Sequence, residues 1–510
     1  MIPLSDAIKK RVAMADAMRK LRKSPILGQE RTFNKLLVKA KDTAFGRYYG
    51  FEDMLASPDP LRQFRERVPL CNYDTIHPWW QRAEQGEADV CWPGKIKYFA
   101  LSSGTSGAPS KNIPVTKDLI RATQQASVRQ LLILRRFKVS PTIISKKVLT
   151  LSGSTTLQYY GNHYKGDVSG IHAKHIPRVM KTLQKPGRRI SSATSWESRL
   201  RLMVQHAPKW DIGVVAGVPA WLDILMERIE ERYGAASIHD IWPNFQAFIH
   251  GGVSIEPYRK KLQTHFSRDV AFIETYLASE GFIALQGHPE SKGMELLAEH
   301  GIFYEFLPFD DATFDHDGQL RDTYARTYTL AEVELGKPYA LVMSTCAGAW
   351  RYLIGDVVRF MNNDPYELII DGRTKHFLSL VGEHLSVDNM THAIANTADR
   401  LGLTFPEFGV TGIPYEGRFG HQWYIACDDL ADPVKVQQIL DEELIKVNDD
   451  YAVERKHALA YMFVKLIPNK VFIDYLARLG KLSTQSKFPR VLKGKQLESW
   501  LEYLQSRGLV

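Results

Sequence analysis

The 510-residue chain lacks most of the features that mark a membrane protein, a disulfide scaffold or a repeat array. No apolar run approaches the ~20 residues that a bilayer span needs. There are four cysteines, Cys71, Cys91, Cys346 and Cys427, and none forms a C-x-x-C pair. That spacing excludes a zinc ribbon and a disulfide framework and fits a reducing cytoplasm. The N-terminus is basic, but Asp6 and Asp16 interrupt it and no apolar segment follows, so no signal peptide is expected. Formal net charge is +9. Over this length that is mild, and neither a nucleic acid nor a membrane is expected as a partner. A G-x-S-x-G nucleophile elbow is missing, which removes the commonest serine-hydrolase reading. There is no internal repeat and no low-complexity segment.

What is present is an ordinary globular composition, 44% apolar and 24% charged, on a chain too long for one compact core. The most informative stretch is Ala100 to Pro114, A-L-S-S-G-T-S-G-A-P-S-K-N-I-P. It follows a short apolar run, Ile96 to Leu101, that reads as a strand. Ser102, Ser103, Thr105 and Ser106 supply hydroxyls, Gly104 and Gly107 permit positive φ, and Lys111 adds a point charge. Successive backbone N–H groups in such a turn can face one concavity and hold phosphate. The stretch is not a Walker A loop, because Gly104 is followed five residues later by Pro109 and Lys111 by Asn112. It is not a dinucleotide fingerprint either. By composition alone a polar surface turn fits equally well.

Beyond it, a helical segment runs from about Lys117 to Phe137, with Arg121, Arg129, Arg135 and Arg136 read as mostly surface groups. Strand-like runs follow at Val148–Leu151, Ile212–Ala216, Phe245–Ile249 and Tyr339–Ser344, with a helix at Pro219–Arg232. That alternation predicts an α/β architecture with a largely parallel sheet, whose ligands sit beyond the carboxyl ends of the strands. Three motifs fall just after such runs: H-G-G (His250–Gly252), Y-L-A-S-E-G (Tyr276–Gly281) and R-Y-L-I-G-D (Arg351–Asp356). Val357–Phe360 and Glu367–Ile370 read as a hairpin closed by Asp371-Gly372-Arg373. The tail, with strands near Phe408–Thr411, Gln422–Ala426 and Ala458–Leu466 and helices from Pro433 and Val471, reads as a small α+β domain ending in a cationic loop, Q-S-K-F-P-R (Gln485–Arg490).

In this order, S-S-G-T-S-G (Ser102–Gly107), Y-L-A-S-E-G, F-Y-E-F-L-P (Phe303–Pro308), W-R-Y-L-I-G-D (Trp350–Asp356) and G-H-Q-W (Gly420–Trp423) resemble the auxin-responsive acyl-acid amido synthetases. That family lies within the adenylate-forming superfamily of luciferase and the acyl-CoA synthetases, and H-G-G-V-S-I-E-P-Y-R (His250–Arg259) resembles its bacterial branch. The resemblance implies a large N-terminal adenylate-forming domain of layered sheets and helices, residues 1–378. A hinge at 379–384 and a small mobile C-terminal domain at 385–510 would follow.

It implies a two-step reaction. MgATP and a small carboxylic acid give an acyl-adenylate and pyrophosphate, and an amino acid or other amine then displaces AMP to form an amide. Ser102, Ser103, Gly104, Thr105 and Ser106 would hold the β- and γ-phosphates. Gly251 and Gly252 would lie against adenine, with Thr275, Tyr276 and Ser279 beside the nucleotide. Glu280 would hold Mg²⁺, Asp356 the ribose hydroxyls, and Arg373 the ribose or a phosphate. Lys487 would swing in to stabilise the α-phosphate, which leaves Lys111 the weaker claim. Val218 and Trp221 would line the acyl pocket. Some of His163, His172 and His175 are placed beside that pocket rather than on a metal. His384 stands where plant members carry a hinge lysine. A monomer is expected. An acyl- or aryl-CoA ligase shares the first half-reaction, and a nucleotide-binding homologue without catalysis is the rival from another class.

Overall fold

The computed structural model describes residues 24–102, 111–176, 180–193, 195–252, 255–310, 312–315, 318–374, 377–378, 380–381, 383, 385–479 and 488–509. The chain forms two compact units, one of described residues up to 374 and one of those from 377 onward.

In the first unit the strands come in chain order as β1 (Tyr98–Ser102), β2 (Lys111–Val115), β3 (Lys147–Thr150), β4 (Gln158–Tyr159), β5 (Tyr164–Asp167) and β6 (Gln184–Lys185). Then follow β7 (Ile212–Gly217), β8 (Ala247–His250), β9 (Ala271–Ala278), β10 (Gly281–Leu285) and β11 (Met294–Leu296). The last four are β12 (Ile302–Pro308), β13 (Pro338–Thr345), β14 (Tyr352–Asn363) and β15 (Tyr366–Arg373).

Four of these make a small sheet in the order β2-β1-β5-β4, and eleven make a large one in the order β12-β13-β14-β15-β11-β10-β9-β8-β7-β3-β6. The expectation of a largely parallel sheet holds for half of the large one. β6, β3, β7, β8 and the first half of β9 are parallel. From β9 to β12 every pairing is antiparallel. The reason is local. Parallel pairing needs a crossover such as the helix Pro219–Tyr233 between β7 and β8. β9 and β10 are joined by two residues and so can only turn back.

β9 changes partner along its length. Ala271–Glu274 pair with β8, and Thr275–Ala278 pair with β10. Beyond that switch the antiparallel half curls on itself around Tyr276, Tyr304, Phe306, Met343 and Phe360. β14 is four strands from β9 in the sheet order, roughly 19 Å across a flat sheet, yet side chains of the two meet.

Helices start where the sequence caps them. The Thr116 hydroxyl accepts from Leu119 N at 3.1 Å and donates to Cys346 O at 2.7 Å, which ties the helix Lys117–Ile133 to the end of β13. Two arginines on or just after this helix are not simple surface groups. Arg129 pairs with Glu295 at 2.5 Å, and Arg136 donates to Gly287 O. The helix Pro219–Tyr233 begins on a proline and ends at Gly234 with φ 61°.

The second unit holds Phe377–Leu378 (β16), Leu385–Ser386 (β17), Phe408–Tyr415 (β18), Arg418–Ala426 (β19) and Leu459–Ile467 (β20). β18-β19-β20 form one sheet. Its core gathers Tyr424, Phe472, Tyr475, Phe488 and Trp500. Glu383 and His421 are fully buried there and pair at 2.9 Å. Glu383 also accepts from the N–H groups of Leu380 and Val381, both at 2.9 Å. Thus the histidine of G-H-Q-W anchors the segment preceding β17.

Candidate functional site

Three expected site residues, read from sequence as loop positions after strands, lie within strands. Tyr276 is in β9, Asp356 in β14 and Arg373 in β15. The β14–β15 register sets Asp356 directly opposite Arg373, and Arg373 Nε is 2.8 Å from Asp356 Oδ1. Tyr276 reaches across the curled sheet, its hydroxyl donating to Asp356 Oδ2 at 2.5 Å. Burial and then the Asp356 charge push the Tyr276 hydroxyl well above its ordinary range, so it remains a donor. Burial works against the Arg373 charge, but Asp356 and its neighbours outweigh it and hold the guanidinium more firmly protonated.

Glu280 occupies the two-residue turn between β9 and β10 with Ser279. Its carboxyl is buried and is pushed up to about 7, first by that burial. Its own backbone and the charges of Lys111 and Arg373 pull the other way, while Asp356 adds to the rise. A buried carboxylate offers hard oxygens to a divalent cation, whose charge would favour the ionised form.

Lys111 is better placed than its sequence claim suggested. It stands opposite Ser102 in the β1–β2 pairing, at the base of the connection 103–110. Its ammonium lies 5.4 Å from the Tyr73 ring centroid, and its charge is felt by Glu280. Strand register is the missing signal: the spacing of Ser102 and Lys111 shows nothing until the two strands pair.

At the carboxyl end of β8, Gly251 is required by close approach. A Cβ there would stand 2.3 Å from Thr275 O. Gly252 has φ +84°, and a Cβ on it would be 3.9 Å from Val218 Cγ2. Val218, Gly251, Gly252 and Thr275 therefore converge beyond β7 and β8, where α/β sheets bind ligands. The Thr275 hydroxyl is buried there with no hydrogen-bond partner among the described residues. Trp221 is nearly buried and packs edge-on against Trp196, ring centroids 4.2 Å apart.

Ser103, Gly104, Thr105, Ser106, His384 and Lys487 lie outside the described residues, and only the backbone of Ser102 is described. Two of the three histidines bond to chain neighbours, and the charges of His172 and His175 are close enough to interact. His163 Nδ1 meets Asn162 Oδ1 and His175 Nδ1 meets Ile171 O. Burial drives His172 down to about 4.

The motifs W-R-Y-L-I-G-D and F-Y-E-F-L-P meet in a second cluster that supports the first. Arg351, at φ 44°, is buried beside Glu305 at 3.2 Å and donates to Val68 O, Arg65 O and Thr327 Oγ1. Arg65 also pairs with Glu305. Burial raises the Glu305 pKa, but the two arginines outweigh it and hold the carboxyl below its usual value.

Comparison with known proteins agrees with this architecture. Family models match the GH3 family N-terminal domain over residues 14–159, the central domain over 295–371 and the C-terminal domain over 388–496. Among curated relatives, jasmonoyl–L-amino acid synthetase JAR4 of Nicotiana attenuata is 23% identical over 91% of this chain and 90% of its own. Indole-3-acetic acid-amido synthetase GH3.4 of Arabidopsis thaliana is 21% identical over 92% and 89%. The solved structure of GH3.15 acyl acid amido synthetase superposes with a TM-score of 0.60 at 17% identity, covering 97% and 96% of the two chains. A 2-hydroxyisobutyryl-CoA ligase bound to 2-HIB-AMP and CoA superposes at 0.58 with 14% identity, covering 94% and 92%. Both structural likenesses are of fold, and the match in sequence is carried by the three family domains. With its three domains matched in order, the chain belongs to the GH3 family.

Proposed function

We propose that the protein is an ATP-dependent acyl-acid amido synthetase. The observation that carries this reading is the cluster of Tyr276, Asp356, Arg373 and Glu280, built where β9 changes partner and flanked by Gly251, Gly252 and Thr275 at the strand ends. A carboxylate with two acceptor oxygens suits the vicinal hydroxyls of a ribose, so Asp356 would hold them. Arg373 would contact the ribose or a phosphate. The backbone at Gly251 and Gly252 would lie against the adenine, with Thr275 beside it. The turn Ser102–Gly107 would hold the β- and γ-phosphates, with Lys111 at its base and Lys487 arriving from the second unit. Glu280 would hold Mg²⁺, which when bound supplies positive charge to the phosphates.

In the first half-reaction the acid's carboxylate oxygen attacks the α-phosphorus and pyrophosphate leaves. In the second, a neutral amine nitrogen attacks the acyl carbon, the acyl–phosphate bond breaks, AMP departs and the nitrogen gives up one proton to solvent. Val218 and Trp221 would border the acyl group. The printed names of the relatives, jasmonoyl– and indole-3-acetyl–amino acid synthetases, support a small carboxylic acid and an amino acid as substrates. Four buried free cysteines fit a reducing cytoplasm. No helix among the described residues is long and apolar enough to cross a membrane. We take the active species to be a monomer.

The test is ATP–pyrophosphate exchange over a panel of carboxylic acids, followed by mass spectrometry of products formed with mixed amino acids or with coenzyme A. Acid-dependent exchange with an amide product supports the reading. A thioester product would make the protein a CoA ligase. A protein that binds ATP but supports exchange with none of the acids would be a nucleotide-binding homologue without catalysis.

A further inference from the structure

The formal charge of +9 is not spread evenly along the chain. Between Arg135 and Asp211 there are 15 lysines and arginines against three acids, Asp167, Glu197 and Asp211. The rest of the chain holds slightly more acids than bases. A charge that is mild over 510 residues is therefore strong over this one segment.

The fold gathers five of these lysines at one corner of the large sheet. Lys146 directly precedes β3 and Lys147 opens it, Lys209 lies shortly before β7, and Lys181 and Lys185 bracket β6. The three strands are parallel neighbours, about 10 Å from first to last. Lys147 Nζ donates to Thr182 O at 3.0 Å, which joins the start of β3 to the segment holding Lys181. Lys185 Nζ lies 5.8 Å from the Trp210 ring centroid, which joins β6 to the residues before β7. Lys146 Nζ bonds Asp211 Oδ2 at 2.8 Å, and Asn244 donates to Asp211 Oδ1 at 2.7 Å. Asp211 is the one carboxylate that a salt bridge brings to these lysines among the described residues. Lys181 and Lys209 are exposed and make no salt bridge there. One carboxylate against five ammoniums leaves the corner strongly positive.

Like charges held this close repel one another, and an anionic partner offsets that repulsion. Lysine on a sheet edge also deters edge-to-edge pairing. Only β6 is at the edge, however, and β3 and β7 lie inside the sheet. Two features select a lipid surface as the partner. The turn Pro141–Ser145 is tied to Lys146, whose N–H donates to Ile143 O at 3.0 Å, and it exposes Pro141 and Ile144, the latter by 37%. An apolar side chain set among ammoniums suits a layer of anionic headgroups over acyl chains. Trp210, the ring beneath Lys185, is only 7% exposed and offers no face on which a base could stack. The five cations are also lysines, point charges rather than the forked arginines that grip nucleic-acid phosphates. The corner is far from the nucleotide crevice, since β7 separates its amino end from Val218 by roughly 20 Å.

We propose that this corner is a docking surface for an anionic lipid bilayer, with Lys146, Lys147, Lys181, Lys185 and Lys209 over the headgroups and Ile144 set among them. It stands apart from the reaction proposed above, and its test uses neither ATP nor acid, so the two fail separately. The whole protein is sedimented with vesicles of phosphatidylcholine containing about one-third phosphatidylserine. It is expected to pellet with them, to remain in solution with pure phosphatidylcholine, and to be released when NaCl rises from about 0.1 M to about 1 M. Lys181→Glu combined with Lys209→Glu reverses two exposed charges and is expected to weaken vesicle binding by about tenfold or more. Ile144→Ser keeps every charge and is expected to weaken it severalfold. An unchanged unfolding midpoint in each variant shows that the fold is kept. The proposal is overturned by equal binding to vesicles with and without phosphatidylserine, or by a doubly reversed protein that binds like wild type. A single-stranded oligonucleotide that binds more tightly than the vesicles, with Ile144→Ser leaving both unchanged, would overturn it in favour of nucleic acid.

Discussion

Arg373 lies directly across the β14–β15 pairing from Asp356, its Nε 2.8 Å from one carboxylate oxygen while Tyr276 donates to the other. The aspartate is thus held from two directions, by a neighbouring strand and by a residue that reaches across a curled sheet. A carboxylate fixed in this way loses little freedom when it takes up a ligand's hydroxyls.

Tyr276 and Asp356 should therefore be energetically coupled. A double-mutant cycle of Tyr276→Phe and Asp356→Asn, read on unfolding free energy, is expected to give a coupling of about 1.5–3 kcal/mol, the range for a hydrogen bond to a charged group. Asp356→Asn is expected to weaken ATP as well. A coupling indistinguishable from zero would mean that the hydroxyl and carboxylate are not bonded in solution.

Gly251→Ala puts a methyl group 2.3 Å from Thr275 O, on backbone that cannot step aside. We expect a loss of about 1–3 kcal/mol in denaturant unfolding. Nucleotide affinity should fall with it, because Gly251 and Thr275 border the same crevice.

Arg351 is the donor that a buried carboxylate depends on. Arg351→Met leaves Glu305 with Arg65 as its remaining charged partner, and an expected destabilisation of about 3–5 kcal/mol follows. Arg351→Lys should restore little of it, since one ammonium cannot reach Glu305, Thr327 and two carbonyls together. A fully stable lysine variant would refute that geometric argument.

His265 gives the protein a pH-dependent brace. It lies between Glu230 at 2.6 Å and Asp223 at 3.2 Å, on the helix that follows Val218 and borders the candidate acyl site. Burial pulls its pKa down, but the two carboxylates outweigh that and raise it above the ordinary 6.5. A raised histidine pKa stabilises the fold fully below the unfolded value, and that contribution is lost as pH rises through the folded value. The stability gap between wild type and His265→Leu should shrink on going from about pH 6 to pH 9. A gap that widens would reverse the sign of the interaction.

Lys487→Ala is expected to lower acid-dependent pyrophosphate exchange by ~10²–10³ while nucleotide binding stays near wild type. An unchanged exchange rate would remove Lys487 from the adenylation step.

Sequence alone determined the family, through ordered motifs, and the positions of most helices and strands. The apolar runs at Ile212–Gly217 and Ala247–His250 are continuous because both faces are covered, and Pro219 and Gly234 mark their helix by backbone chemistry that is local. What sequence could not carry was everything that depends on register and curvature. Tyr276, Asp356 and Arg373 read as loop residues because their glycines and charges look like turn signals, yet all three are in strands. Lys111 lost its claim to a residue far down the chain because only the pairing of β1 with β2 sets it opposite Ser102. Arg351 and Glu305 were motif letters until the two strands brought them to 3.2 Å. Local sequence fixes φ and ψ preferences and the period of burial. Which distant carboxylate meets which donor is decided by how the sheet curls, and that is a property of the packed whole.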